Sequence, residues 1–224
     1  MGFYTNFKDP EARQEIVRYY RFLRKNEGLY RANRSNAEGV LLFPRSRVHE
    51  GDVAAVGRFK ELGKRLLDAH VLFDVLPDDR VTAAESARYA TVIDSSDAKV
   101  TGANVMQRIP ADLSRFDAAA TVRVSASRPA LENEITLHFV NYNREEPADK
   151  KNRGSGIKDE KPIAAPPSQA DLKLDPKLRA ARVEFLTPES EQPRALDFEQ
   201  AGARLRFRVP EYLVYGVVRV SLSN

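Results

Sequence analysis

Carboxylates are the residues of this chain best placed to do chemistry. Asp74 lies inside the apolar run 71–76, Asp78 and Asp79 follow that run, and Asp94 closes a second run at 89–94. Glycoside hydrolysis needs two acids about 5 to 9.5 Å apart on rigid elements. Asp74, Asp78 and Asp94 are therefore the candidates for a small hydrolase site, although nothing in the spacing marks two of them as a pair. Further polar residues gather where parallel strands would end, the usual place for ligands in open α/β sheets. These are Arg45-Ser46-Arg47-Val48-His49-Glu50, Asp78-Asp79-Arg80 and Asp94-Ser95-Ser96-Asp97. The same residue types cap helices and tie loops, and that is the expectation here: no catalytic residue, no cofactor-binding residue and no metal ligand is assigned.

Other chemistries are excluded by residue type. Cysteine is absent, which removes disulfides, thiolate metal sites and cysteine nucleophiles. His49, His70 and His138 are the only histidines and lack metal-ligand spacing, so zinc is not expected. Neither a P-loop nor GxGxxG occurs, and Ser46 is not in a GxSxG elbow. No cofactor follows from the sequence. Asn141-Tyr142-Asn143 reads as a strand end and turn. A weak nucleic-acid surface could form from Arg18, Arg21, Arg24 and Lys25, but 36 basic residues face 32 acidic ones, a mixed and solvated surface. Nucleic acid is therefore the last of the alternatives. No run approaches the roughly 20 apolar residues of a membrane helix, and the first fifteen residues lack the apolar core of a signal peptide. The chain as written is expected to be cytoplasmic, with an exported parent giving the same sequence.

The elements that would carry these residues follow from periodicity. A helix is predicted at 10–26, capped by Asp9 with Pro10 in its first turn. Its stripe is Ile16, Tyr20 and Leu23, widened by Val17 and Tyr19, and Gly28 suits its end. The apolar run 38–43, ended by Pro44, reads as a strand buried on both faces. Asp52 caps a helix at 53–68 with core residues Val56, Phe59, Leu62, Leu66 and Leu67. A second buried strand at 71–76, a capping box Thr82–Glu85, and a third strand at 89–94 complete a parallel α/β pattern. Residues 95–117 read as a connection with an irregular strand near 99–106. From 121 the pattern alternates with period two, giving seven short strands at 121–125, 134–142, 170–174, 182–186, 195–198, 204–209 and 214–222, the mark of an antiparallel β-sandwich. The expected divisions are a docking helix and linker at 1–36, a partial three-layer α/β domain of flavodoxin-like or amidotransferase-like type at 37–118, and a β-sandwich at 119–224 with a mobile charged loop at 144–169.

The segment 19–30, ending in Leu29-Tyr30, resembles the terminal barrel helix and exit linker of multidomain glycoside hydrolases. The strand Ala37-Glu38-Gly39-Val40-Leu41-Leu42-Phe43-Pro44 and the α/β part after it are similar to the trimerisation domain of bacterial beta-galactosidases, itself related to class I glutamine amidotransferases. Leu137-His138-Phe139-Val140-Asn141-Tyr142, Phe207-Arg208-Val209-Pro210 and Tyr215-Gly216-Val217-Val218 resemble the closing sandwich of such enzymes. The resemblance implies a non-catalytic accessory or interaction region of a carbohydrate-active protein. The (β/α)8 barrel that would carry the catalytic carboxylates is not in this sequence, the α/β part is too short to carry trimerisation over, and the amidotransferase cysteine does not exist here. The implied partners are a barrel domain, or a second copy through the N-terminal helix, with carbohydrate a possible ligand. Tyr19, Tyr20, Phe22 and Leu23 are too many large side chains for one small α/β layer to cover.

Overall fold

The computed structural model describes residues 10–129, 133–146 and 160–223. Helix α1 (Pro10–Lys25) ends in a 3-10 turn at Glu27–Leu29, where the Asn26 amide group donates to the Phe22 carbonyl at 2.9 Å. Asp9, the expected cap, lies outside the described residues. Strand β1 (Asn33–Ser35) leads to β2 (Gly39–Phe43), whose first four residues are buried. Residues 45–49, read as strand-end loop, form a short helix α2 (Arg45–His49). Helix α3 (Ala54–Asp68) follows, with the Asp52 carboxylate accepting from the Ala55 amide at 3.2 Å. Leu62 and Leu66 are fully buried, but Leu67, expected in the core stripe, is turned outward and the small Ala55 is buried instead.

Strand β3 (Phe73–Pro77), helix α4 (Ala83–Ser86) and strand β4 (Thr91–Asp94) complete the α/β layer. The Thr82–Glu85 capping box is formed in both directions. The sheet order is β3-β2-β4, parallel throughout. With three strands both outer ones are edges, so β3 is only half-buried and Val75 is 49% exposed, where burial on both faces was expected. The irregular strand expected at 99–106 does not form. The Asn104 side chain accepts from the Thr101 amide and donates to the Lys99 carbonyl, both at 2.9 Å, which folds the segment into a turn before a 3-10 helix at Val105–Arg108.

The sandwich is built from β5 (Arg115–Asp117), β6 (Val122–Pro129), β7 (Glu134–Asn141), β8 (Ser168–Lys173), β9 (Arg179–Leu186), β10 (Arg194–Ala195), β11 (Phe198–Ala201), β12 (Arg204–Val209) and β13 (Tyr215–Ser223). One sheet has the order β1-β6-β7-β13-β9-β10, the other β11-β12-β8-β5. Leu137, Phe139, Leu172, Leu205 and Val218 fill the space between them and are fully buried. In β12 Leu205, Phe207 and Val209 point inward while arginines face water, as period two dictates. The single strand expected at 195–198 is two strands, because the chain passes there from the edge of one sheet to the edge of the other. Gly216 permits a close approach in the core: a Cβ there would lie 2.6 Å from the Phe185 ring. Of the loop expected at 144–169, residues 147–159 lie outside the described residues. The rest is pinned: Arg144 bridges to Pro162, Ala165 to Tyr212, and Ser168 already belongs to β8.

Among the described residues, polar contacts help to join the layers, and Leu72 is buried in the sandwich core. Asp68 at the end of α3 pairs with Arg123 of β6 at 3.1 Å, and His70 bonds the Ala119 carbonyl at 3.1 Å. Glu38, entering β2, accepts from the Ser114 amide and hydroxyl at 2.9 Å each. Helix α1 docks on the outer face of the six-stranded sheet, not on the α/β layer. Phe22 is 8% exposed and packs with Leu29, Leu186 and Val217, its ring edge-on to Tyr215 at 6.0 Å.

Candidate functional site

The strand-end acids are each held by a separate local partner. Asp78 accepts from the Ser46 amide and hydroxyl at the start of α2. Partial burial would raise its carboxyl, but those bonds outweigh that and hold it below the usual carboxylate range. Arg45 grips Asp79 through Nε at 3.0 Å and Nη2 at 2.8 Å and lowers its carboxyl likewise. Asp94 accepts from the Ser96 amide at 2.7 Å, and the buried Ser95 hydroxyl donates to the Leu42 carbonyl at 2.6 Å. His49 sits in the last turn of α2. Asp74 is not at this end of the sheet. It accepts from the Ser35 hydroxyl at 2.7 Å and the Tyr89 hydroxyl at 2.8 Å, and burial together with this bond pushes the Tyr89 phenol up to about 12. Asp74 sits opposite Val40 and Asp94 opposite Leu42, on the two sides of β2. Two strand spacings and two residues of rise place their Cα atoms roughly 12 Å apart. Among the described residues no cluster of acids and histidines could hold a metal ion.

The candidate site lies elsewhere. A cleft of about 800 Å³ separates α1 from the β9–β10 connection, within the roughly 300–1,000 Å³ of small-molecule sites. Arg13, Arg18, Arg21 and Lys25 form its helical wall; Glu189 and Glu191 stand on the other. Helical spacing puts these cations in line, and Phe22 on the same helix anchors the wall to the sheet. Arg18 pairs with Glu15 at 2.9 Å, and the Lys25 ammonium donates to the Glu191 carbonyl. The Tyr19 hydroxyl donates to Glu189 at 3.3 Å; burial, then that carboxylate, raises its phenol. Arg18, Arg21 and Lys25 of the expected basic face are thus brought together here, while Arg24 does not line the cleft. The wall at 186–193 could not be found from sequence, since it becomes a wall only when α1 lies across the sheet. Ile16, Tyr20 and Leu23 occupy the opposite flank of α1, where Tyr20 is 53% and Leu23 39% exposed.

Beneath α1 runs a polar chain that periodicity did not reveal. Tyr30 and Tyr215 hydroxyls meet at 3.1 Å, Tyr215 bonds His138 Nδ1 at 2.7 Å, and His138 Nε2 reaches Ser127 at 3.3 Å. The Tyr215 and His138 rings are stacked. Burial lowers the His138 pKa, so the ring is held neutral. Burial also raises the Glu38 carboxyl, only partly offset by its Ser114 bonds.

No protein-family model matches the chain, and no curated protein does. Solved structures do. Alpha-L-fucosidase isoenzyme 2 from Paenibacillus thiaminolyticus superposes over 92% of this chain and 51% of its own, with a TM-score of 0.63 and 10% identity. A cycloisomaltooligosaccharide glucanotransferase from Paenibacillus sp. covers 71% of this chain and 26% of its own at 13% identity, and a rhamnosidase from Novosphingobium sp. PP1Y covers 81% and 14% at 16% identity. Their TM-scores of 0.36 and 0.32 are too low to argue from. The chain therefore shares the fold of about half of that fucosidase, a small parallel α/β layer joined to an antiparallel sandwich. It spans about half the length of the fucosidase that it matches.

Proposed function

We propose that this chain is a non-catalytic accessory region of a carbohydrate-active protein, one that packs against a further folded unit such as a (β/α)8 barrel. The observation that carries the reading is the fold match to about half of a fucosidase, which takes in 92% of this chain. The occupied strand-end acids support it, since each already serves a cap or a tie. The flank of α1 bearing Ile16, Tyr20 and Leu23 is the proposed seam: an apolar stripe on a helix otherwise fixed to the sheet marks a partner surface. A relation to beta-galactosidases, with an α/β part of the trimerisation type, is the finer form of the proposal.

Two measurements test it. A panel of nitrophenyl glycosides is expected to show no turnover by the chain alone; hydrolysis abolished by Asp74→Asn or Asp94→Asn would replace the accessory reading with a hydrolase. In sedimentation, the chain is expected to self-associate, and Tyr20→Ser with Leu23→Ser to make it monomeric. A wild-type monomer whose dispersity those substitutions leave unchanged would remove the seam.

A further inference from the structure

We infer that the cleft beside α1 binds a carboxylated oligosaccharide, an inference that rests on the carbohydrate-active reading above. Arg13 and Arg21 both face the cleft, and among the described residues neither guanidinium has a partner. A guanidinium presents a rigid fork of donors that matches a carboxylate two bonds at a time. The two stand eight residues apart on one helix, about 12 Å along its axis. One carboxylate cannot reach both, so the ligand carries acids on separate units of a chain. Lys25 adds a third positive charge at the end of the row.

The remaining lining separates sugar from peptide. The Gln14 and Gln192 carboxamides face the cleft from opposite walls, and among the described residues their side chains have no partner. Each offers both donor and acceptor, which suits vicinal hydroxyls. Glu189 on the far wall is an acceptor for such hydroxyls. An acidic peptide would gain most from a deep apolar anchor pocket or a free strand edge. Charged and amide side chains instead stand on both walls of the cleft, beside the apolar Val17, Phe22, Leu186, Pro188 and Pro193. Neutral sugars would leave both guanidiniums without a counter-charge.

Titration calorimetry on the full chain tests this with a hexamer of galacturonate, a hexamer of mannuronate, the uncharged methyl ester of each, and hexaglutamate. At least one uronate is expected to bind, its ester about tenfold more weakly or not at all. Arg13→Ala and Arg21→Ala are each expected to weaken binding about tenfold, with an unchanged thermal midpoint because both positions are exposed. Arg206→Ala on the far sheet is expected to leave affinity as it was. Failure of both uronates to bind, indifference to the two arginine substitutions, or equal binding of hexaglutamate would each overturn the inference. Binding of the esters alone would overturn it too, while leaving the carbohydrate-active reading in place.

Discussion

His138 shows what a single side chain under α1 contributes. A neutral ring can accept at Nδ1 from the Tyr215 hydroxyl while donating at Nε2 toward Ser127, and a protonated one cannot accept. The folded state lowers the ring's pKa, while in the unfolded chain it titrates near 6.5. The unfolded chain therefore binds more protons, and stability falls as pH drops through 6.5. The thermal midpoint of wild type is expected to decline between pH 7 and pH 5, and that of His138→Gln to decline less; parallel curves would mean that the ring protonates freely in place. The sequence showed three isolated histidines and gave no reason to single this one out. Its neighbours come from residues 77 positions later and 11 earlier, a proximity that no local pattern encodes. The strand-end acids were visible as residues, but their partners Ser46, Ser35 and Tyr89 were not, because hydrogen bonds between loops leave no periodic trace.

Among the elements, those with a strong period were legible and those fixed by one tertiary contact were not. α1, α3 and β12 follow from spacing, and the α4 capping box from four residues. β1 and β5 have three residues each and too little pattern to detect; they exist because a sheet edge pairs with them. The seat of α1 was not legible for a physical reason: its apolar residues specify that something is covered, not by what. Phe22 is the element's anchor. Phe22→Ala removes a buried ring and is expected to cost about 3 kcal/mol of α1 docking. The measurement is protease cutting between α1 and β1, expected to accelerate in the variant while the β7 amides keep their hydrogen-exchange protection. An unchanged cutting rate would mean that Tyr19 and Lys25 hold the helix without the ring.

Across the molecule, the α/β layer and the sandwich are joined by polar ties. Glu38 is the most central, since it links the first residue before β2 to the Ser114 amide, and the Ser114 hydroxyl in turn accepts from the Lys173 amide in β8 at 2.9 Å. Glu38→Ala leaves buried donors without an acceptor, at a cost of about 1–3 kcal/mol. In wild type the β2 and β7 amides are expected to exchange in one cooperative event. In Glu38→Ala the β2 amides are expected to open first, and joint opening in the variant would show that Asp68–Arg123 and His70 suffice.

The position of β13 has a consequence for synthesis. It is the last of the described strands to leave the ribosome, yet it lies between β7 and β9 in the middle of the six-stranded sheet. Until it emerges, β7 and β9 each present an open row of amides and carbonyls, the kind of edge that pairs with other chains. α1, made well before β13, must wait too, because Val217 and Tyr215 form part of its seat. A nascent chain paused before residue 215 thus holds α1 unseated and two strand edges bare, and the nine-residue β13 closes both gaps at once.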